Sequence, residues 1–180
     1  MKTLIAYSST HGTAAECARW LEDSMTGAEA ADLKQSAVNP QPYDLVILGS
    51  SIYGGQIQRE VRDYCKQYLG ILLQKPLGIY LTCLTQDQAE IRHFLDYGLS
   101  AEIVQHLTAF CTPGGAVYLS KMGFLERSIA HKLLNRFLRE QGLEALRDRK
   151  TDYVTLSKEK VERFARQMSG AAGETQELSR

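Results

Sequence analysis

Apolar runs of strand length alternate with helical patterns along most of the chain. The apolar runs predict strands at residues 3–7, 29–33, 44–48, 77–84 and 115–119. Patterns with a period near 3.6 residues predict helices at 14–26, 58–69, 88–106 and 158–168, the third being either one long helix or a broken pair. Continuous apolar strands separated by crossover helices are typical of a parallel sheet covered by helices on both faces. The pattern therefore predicts an α/β fold with an open, doubly wound, five-stranded parallel sheet.

Length and composition favour a single globular domain. The chain has 180 residues, of which 44% are apolar and 23% are charged, as is ordinary for such a domain. We expect one domain over residues 1–170, with an extra segment at 121–150 after the last strand and a flexible tail at 171–180. The 21 basic and 21 acidic residues balance, which argues against nucleic acid or another polyanion as a general partner.

Cysteine usage and hydropathy predict a cytoplasmic protein. The four cysteines are widely separated and show neither a zinc spacing nor a disulfide framework, which fits a reducing compartment, and no metal site is expected. The N-terminal residues have the pattern of a strand rather than of a signal peptide. No apolar run approaches the roughly 18 residues that a membrane span needs.

The end of the first strand is the most informative stretch. A short polar loop joins this strand to the first helix and consists of Ser8, Ser9, Thr10, His11, Gly12, Thr13 and Ala14. Hydroxyls and backbone N–H groups at a helix N-terminus bind anions. Because the loop contains no lysine or arginine, we expect neutral donors to hold the phosphate monoester of a bound cofactor. The alternative is an ordinary turn in which serine and threonine cap the helix.

Two further strand ends fall at the same predicted edge of the sheet. The first comprises Ser50, Ser51, Ile52, Tyr53, Gly54 and Gly55, and the second Thr82, Cys83, Leu84 and Thr85. The glycine pair allows close approach of a flat ligand or positive φ angles. Tyr53 either stacks on that ligand or covers the edge of the core, and Cys83 is expected to be a buried, inert thiol.

Together the three loops suit flavin mononucleotide (FMN). No side chain in them stands out as a general acid, base or nucleophile, so no catalytic residue is predicted and the cofactor is expected to carry the chemistry. Rival sites lack their motifs: there is no Gly-Lys-Ser/Thr loop, no GxGxxG after the first strand and no GxSxG. A phosphoryl-receiver site is also excluded, because it needs acidic residues where the first and third strands end in serines.

These loops resemble the flavodoxin family over roughly the whole chain. The polar loop at 8–13 resembles the family's phosphate loop, although the family's closing threonine falls on Ala14, which keeps only the backbone N–H. His11 is expected to face solvent, with a cation for the phosphate as the alternative. The resemblance implies a flavodoxin-like fold that binds FMN.

Within that family the chain resembles the menaquinone-dependent protoporphyrinogen IX dehydrogenases. The resemblance rests on the first five residues, on the loop at 49–54 and on the long segment after the last strand. It implies an FMN-dependent oxidoreductase of heme biosynthesis that oxidises a porphyrinogen and passes electrons to a quinone. The alternative is a flavodoxin-type electron-transfer protein that acts through a redox partner protein and has no organic substrate of its own.

Residues 121–140 form a basic amphipathic pattern. Apolar residues recur every three to four positions at Met122, Leu125, Ile129, Leu133 and Phe137. Five lysines and arginines against two glutamates give this segment a net charge of +3. Such a helix either contacts an anionic membrane surface, a partner or an acidic substrate, or packs on the sheet with its basic side in water.

Overall fold

The structure is a computed structural model that describes residues 1–36, 38–143 and 151–178, with the backbone alone for 172–178. Part of the extra segment expected at 121–150, residues 144–150, therefore lies outside the described residues. No helix within the described ranges is long and apolar enough to cross a membrane.

Strands and helices alternate in the order that the sequence predicts. The strands are β1 (Thr3–Ser8), β2 (Ala28–Asp32), β3 (Leu45–Tyr53), β4 (Gln56–Ile57), β5 (Leu77–Thr82), β6 (Ala109–Cys111), β7 (Ala116–Val117) and β8 (Tyr153–Val154). The helices are α1 (Thr13–Ser24), α2 (Arg59–Gln67), α3 (Leu69–Leu72), α4 (Gln88–Gly98), α5 (Ala101–His106), α6 (Phe124–Glu140) and α7 (Lys158–Leu178). A 3-10 turn, Leu119–Lys121, precedes α6.

The central sheet confirms the predicted doubly wound fold. Its parallel strands lie in the order β2-β1-β3-β5-β6, and β4 pairs antiparallel with the end of β3. The chain winds to one side of β1 through β2 and to the other side through β3. A crevice therefore opens between the carboxyl ends of β1 and β3, where such sheets bind ligands. The register places Ser8 beside Ser50 and Ser51 beside Thr82, so all three predicted loops start at this edge.

The predicted fifth strand is wrong in position. The strand beside β5 is β6, whereas residues 116 and 117 form β7 in a separate two-stranded ribbon with β8. Gly114 has φ +105° and Gly115 lies directly against the backbone of Cys83 and Leu84, too close for a Cβ. This turn carries the chain away from the sheet after β6, so the apolar residues that follow pair elsewhere.

Two boundaries differ from the prediction for local reasons, and the helical stretch at 88–106 follows one of its two predicted alternatives. Strand β3 continues to Tyr53 instead of ending at residue 48, because Ile52 and Tyr53 pair with β4. The helix expected at 88–106 is a broken pair, with an extended Leu99 and with Ser100 accepting a hydrogen bond from the Ile103 N–H. Helix α7 continues to Leu178, so part of the stretch expected as a tail from 171 is helical.

The sheet is buried on both faces because its strands alternate their side chains. One face, which includes Leu4, Val46 and Ile79, packs against α2, α4 and α5. The other face packs against α1 and α7, with Trp20 partly buried at its margin. A third, smaller cluster lies under α6 and contains Leu119, Met122, Leu134 and Leu138. Helix α6 thus packs beside the ligand-binding edge of the sheet rather than over its centre.

Candidate functional site

The loop at 8–13 ends in an open helix N-terminus. Gly12 is the N-cap of α1 with φ +93°, a left-handed conformation that favours glycine. No side chain caps α1, and the Gly12 N–H is held by the Ser9 hydroxyl at 3.0 Å. The backbone N–H groups of the first turn, at Thr13 and Ala14, therefore lack a side-chain acceptor, as an anion site requires.

Two hydroxyls of this loop point to the start of α2. Ser8 donates a hydrogen bond to Glu60 Oε2 at 2.9 Å, and Thr10 donates to Gln58 Oε1 at 3.2 Å. Burial opposes the charged form of Glu60, but hydrogen bonds from its own backbone and from Ser8, with Lys34 and Arg59 nearby, together hold its pKa below the usual range. The loop therefore faces a carboxylate as well as the positive end of α1.

Two lysines from distant segments reach the loop, in addition to the neutral donors that the sequence predicts. Lys34 Nζ donates to the Ser9 carbonyl at 2.8 Å and to Thr10 Oγ1 at 3.3 Å. Lys121 Nζ lies 4.0 Å from the centre of the Tyr118 ring and 3.7 Å from the point where a Cβ on Gly12 would lie. Sequence reasoning missed both, although Lys34 follows β2, whose end adjoins that of β1.

The second predicted loop is a β-hairpin. Strands β3 and β4 pair at Ile52 and Tyr53, and the two residues between them, Gly54 and Gly55, have φ +58° and +76°. Positive φ at both central positions is what a type I′ turn requires. A Cβ on either glycine would meet nothing within 4 Å, so the glycines serve backbone conformation here. The Ser50 hydroxyl accepts from the Gln58 N–H at 2.9 Å and fixes the hairpin to α2.

Tyr53, Glu126 and His11 form a cluster that joins the hairpin, α6 and the first loop. Tyr53 is 51% exposed and donates a hydrogen bond to Glu126 Oε1 at 2.9 Å. The same oxygen lies 3.0 Å from His11 Nε2, in a contact outside hydrogen-bonding geometry. The His11 side chain is only 17% exposed, so the expected solvent-facing histidine is wrong. The hydrogen bond to Glu126, and then burial, raise the pKa of Tyr53.

The third loop is held by hydrogen bonds and begins with a buried hydroxyl that has no hydrogen-bond partner among the described residues. Thr82 is buried, and its Oγ1 makes no hydrogen bond within the part of the chain that the structure describes. The Cys83 N–H donates to the Gly114 carbonyl at 3.1 Å, and the Thr85 hydroxyl accepts from the Asp87 N–H at 3.1 Å. Leu84 packs against the cluster under α6. Thr82 lies beside Ser51 in the sheet register, at the carboxyl-end edge of the sheet.

The buried thiol of Cys83 matches its predicted inert character. Burial raises the pKa of Cys83 to about 12, so it carries almost no thiolate at neutral pH. Tyr97, which the sequence places inside a helix, lies in α4 and stacks on His93 at 5.9 Å between ring centres. This pairing makes no contact with the three loops, whereas Tyr53 lies on the hairpin and Tyr118 lies beside Lys121 near the first loop.

A surface depression elsewhere shares no residue with these loops. It has a volume of about 520 Å³ and is lined by Asp23, Ser24, Lys158, Glu162, Ala165, Arg166 and Ser169. It lies between the C-terminal end of α1 and the outer side of α7. The crevice between β1 and β3 is therefore the better candidate site, since it combines donors, cations and an aromatic ring.

Comparison with known proteins identifies the family. The family model described as Flavodoxin domain matches residues 4–140, more than half of the chain. The chain belongs to this flavodoxin-domain family.

Solved structures show the same fold at low identity. Flavodoxin 2 from Bacillus cereus is 21% identical, covers 95% of this chain and 99% of its own, and superposes with a TM-score of 0.51. A flavodoxin from Streptococcus pneumoniae TIGR4 is 14% identical, covers 95% and 99%, and has a TM-score of 0.50. No curated protein sequence matches the chain.

Proposed function

We propose that the chain is an FMN-dependent oxidoreductase that takes electrons from a reduced organic substrate of the porphyrinogen type and passes them to a quinone. The observation that carries the proposal is the meeting of three features at one crevice. These are the open N-terminus of α1, the ammonium groups of Lys34 and Lys121, and the exposed ring of Tyr53 on the neighbouring hairpin. A phosphate ester that carries a flat ring system matches that arrangement.

The residues of the first loop fit the cofactor phosphate. The N–H groups of Thr13 and Ala14 and the hydroxyls of Thr10 and Thr13 supply hydrogen bonds, and the two lysines supply charge. The ammonium of Lys121 lies close to Gly12, so it compensates for the hydroxyl that Ala14 lacks relative to the family's threonine. Anion binding therefore combines helix-terminal N–H groups with two cations that the loop itself does not contain.

The other two loops fit the ring system. Ser51 and Thr82 are neighbours in the sheet, and the Thr82 hydroxyl is buried without a partner among the described residues. Tyr53 supplies an aromatic face beside the crevice. When bound, FMN supplies hydride and electron transfer, and the protein supplies binding, orientation and exclusion of water. Accordingly, we assign no side chain of these loops to acid, base or nucleophilic catalysis.

Helix α6 supports an enzyme with its own substrate. It contacts all three loops, through Glu126 to His11 and Tyr53 and through the cluster that includes Leu84. A segment in this position can shape a substrate site beside the ring. The zero net charge also differs from the strong acidity that would help a carrier dock on basic partners. The porphyrinogen and quinone specificity rests on the sequence resemblance at 49–54 and after the last strand.

The second candidate function is a flavodoxin-type electron carrier without its own organic substrate. The family match and the fold of the structural neighbours favour it to a similar degree. A carrier exchanges single electrons with protein partners, whereas the enzyme must complete a two-electron oxidation. The number of electrons in each reduction step therefore separates the two functions.

The test begins with the purified full-length chain and added FMN. Flavin absorption that remains with the protein after gel filtration, and binding of FMN in preference to riboflavin, are the expected results for the cofactor site. Anaerobic titration with dithionite and turnover of protoporphyrinogen with a menaquinone analogue then follow. A single two-electron step with quinone-dependent turnover supports the enzyme. Two separate one-electron steps without turnover support the carrier, and no flavin binding overturns both.

A further inference from the structure

Helix α6 exposes an apolar stripe to solvent. Leu125, Ile129 and Leu133 are 75%, 55% and 62% exposed, and Phe124 at the start of the helix is 91% exposed. The first three are spaced four residues apart and share one side of the helix. The buried side chains of α6 are Leu134 and Leu138, on the opposite side. Single exposed apolar residues are common, but three on one side of a helix of 17 residues form a patch, whereas Phe124 lies on another side of the first turn.

Basic side chains border this stripe. Lys132, Arg136 and Arg139 are all exposed, and Lys132 and Arg136 lie three residues after Ile129 and Leu133 on the same side of the helix. Residues 121–140 contain five lysines and arginines and two glutamates, a net charge of +3 in a chain whose total is zero. The outward side of α6 therefore combines large apolar groups with concentrated positive charge.

We propose that this surface, the α6 outer face (Leu125, Ile129, Lys132, Leu133 and Arg136), binds the surface of a membrane that contains anionic phospholipid. A helix with this composition lies in the interface, where its apolar side chains enter the acyl boundary and its lysines and arginines pair with lipid phosphates. Charge complementarity selects this occupant over a second copy of the chain. A twofold pairing of two α6 outer faces would bring the lysines and arginines of both copies into one interface, which like-charge repulsion opposes.

The site explains why such a contact is useful. Glu126 lies one turn before Ile129 and holds the Tyr53 hydroxyl, so the α6 outer face continues into the hairpin beside the crevice. Membrane contact through α6 places that crevice close to the lipid surface, where a lipid-soluble quinone is concentrated. The membrane contact itself follows from α6 alone, whereas its use in quinone reduction rests on the proposed function.

The test is co-sedimentation of the full-length, FMN-incubated chain with vesicles. Phosphatidylcholine vesicles are compared with vesicles in which about a third of the lipid is phosphatidylserine, at about 0.1 M salt. We expect binding to the anionic vesicles to be about tenfold tighter or more, and to weaken as salt increases. Equal binding to both kinds of vesicle, or none to either, would overturn the proposal.

Two pairs of variants test the two components separately. Leu125→Ser with Leu133→Ser removes apolar groups, and Lys132→Gln with Arg136→Gln removes charge. Each pair should weaken anionic vesicle binding about tenfold, while Tyr97→Ser with Lys66→Gln, matched exposed changes on α4 and α2, should leave it unchanged. Circular dichroism checks that each variant is folded. If the α6 pairs bind vesicles like the parent chain, or if they instead abolish a dimer seen by light scattering, the membrane assignment is wrong.

This result is separable from that of the proposed function. Sedimentation reports vesicle binding whether or not flavin is bound, and turnover with a water-soluble quinone reports the reaction without lipid. Turnover without vesicle binding would contradict membrane binding by the α6 outer face and support the oxidoreductase function. Vesicle binding by a chain that does not bind FMN would support the membrane contact and contradict the oxidoreductase function.

Discussion

The carboxylate of Glu126 accepts a hydrogen bond from the hydroxyl of Tyr53 at 2.9 Å, although 73 positions separate the two residues. The same oxygen lies 3.0 Å from His11 Nε2. One acidic residue of α6 therefore contacts two of the three loops at the crevice. This relationship connects the extra segment of the chain to the candidate cofactor site and underlies the first prediction.

Glu126→Ala should loosen the start of α6. The variant removes the Tyr53 hydrogen bond and the His11 contact, which are partly exposed and together stabilise the docked helix by about 1 kcal/mol. Amide hydrogen exchange in the first two turns of α6 should accelerate about fivefold. Glu140→Ala, which removes the Arg136 pair at the other end of the helix, is the control. The same exchange rates in both variants would show that Glu126 does not hold the helix.

Lys121→Ala should weaken FMN binding more than riboflavin binding. The ammonium lies near the N-terminus of α1, where it adds charge to a site for a phosphate dianion. We expect an increase of about tenfold in the Kd for FMN, equivalent to about 1.4 kcal/mol, and a shallower dependence on salt. Isothermal titration with both ligands measures this. Lys132→Ala, an exposed lysine on α6, should leave both affinities unchanged, and an equal loss of FMN and riboflavin affinity in K121A would contradict the assignment.

Thr10→Ala combined with Thr13→Ala should lower FMN affinity sharply. Both residues lie in the first loop, and Thr13 is buried at the first position of α1. Loss of two hydroxyl donors to a charged phosphate should raise the Kd about a hundredfold, since each contributes about 1.5 kcal/mol or more. Thr26→Ala, an exposed threonine after α1, is the matched control. Unchanged FMN affinity in the double variant would sink the phosphate assignment of the loop.

Gly49→Ala should destabilise the fold more than Gly54→Ala. A Cβ on Gly49 would overlap the hydroxyl of the fully buried Tyr80, which donates to the Ala14 carbonyl at 2.8 Å and fixes the start of α1. We expect a loss of about 3 kcal/mol in the free energy of unfolding for Gly49→Ala. Gly54→Ala meets no atom within 4 Å and should lose about 1 kcal/mol through its positive φ alone.

Denaturant unfolding of each glycine variant measures these differences. Gly70→Ala, which lies in α3 with no atom near its Cβ and without a positive φ, is the neutral control. If Gly49→Ala unfolds at the same denaturant concentration as the control, the close packing of Gly49 on Tyr80 is not a determinant of stability.

Thiol reactivity should depend steeply on pH. Burial raises the pKa of Cys17, Cys65 and Cys83 to about 12 and that of Cys111 to about 11. At pH 8 the native chain should therefore react with iodoacetamide about a hundredfold or more slowly than the unfolded chain, because only the thiolate reacts. Mass spectrometry of timed samples measures both rates. Rapid labelling of Cys83 in the native chain would show that the third loop opens.

The same pKa shifts set the sign of a stability effect. A raised thiol pKa means that the folded state favours the neutral form, so this contribution is complete below the unfolded pKa of about 8.5. It is lost as the pH rises through the folded values of about 11 to 12. The free energy of unfolding should consequently decrease as the pH rises from about 9 to the highest pH at which the chain stays folded. The decrease should be smaller in a Cys17→Ala variant.

The fold was largely predictable, because periods of 2 and 3.6 residues report burial locally. The strands that form β1, β2, β3 and β5 and the loops that end three of them follow from such runs. The fifth strand did not follow, because β6 is short and the more apolar run after it is turned away by Gly114 and Gly115. Which of two short apolar runs joins a sheet depends on the turn between them and on the neighbour available for pairing.

The candidate site, like the fold, has features that local sequence predicts and features that depend on long-range packing. The sequence by itself determined that a polar loop, a glycine pair beside Tyr53 and a loop at Thr82 lie at one edge of a parallel sheet, because strand direction places the carboxyl ends together. Only the tertiary structure brought Lys34, Lys121 and Glu126 to that edge, partly buried the His11 side chain and left Leu125 and Leu133 exposed. Each of these outcomes depends on the packing of segments far apart in the chain, and local periodicity carries no information about such contacts.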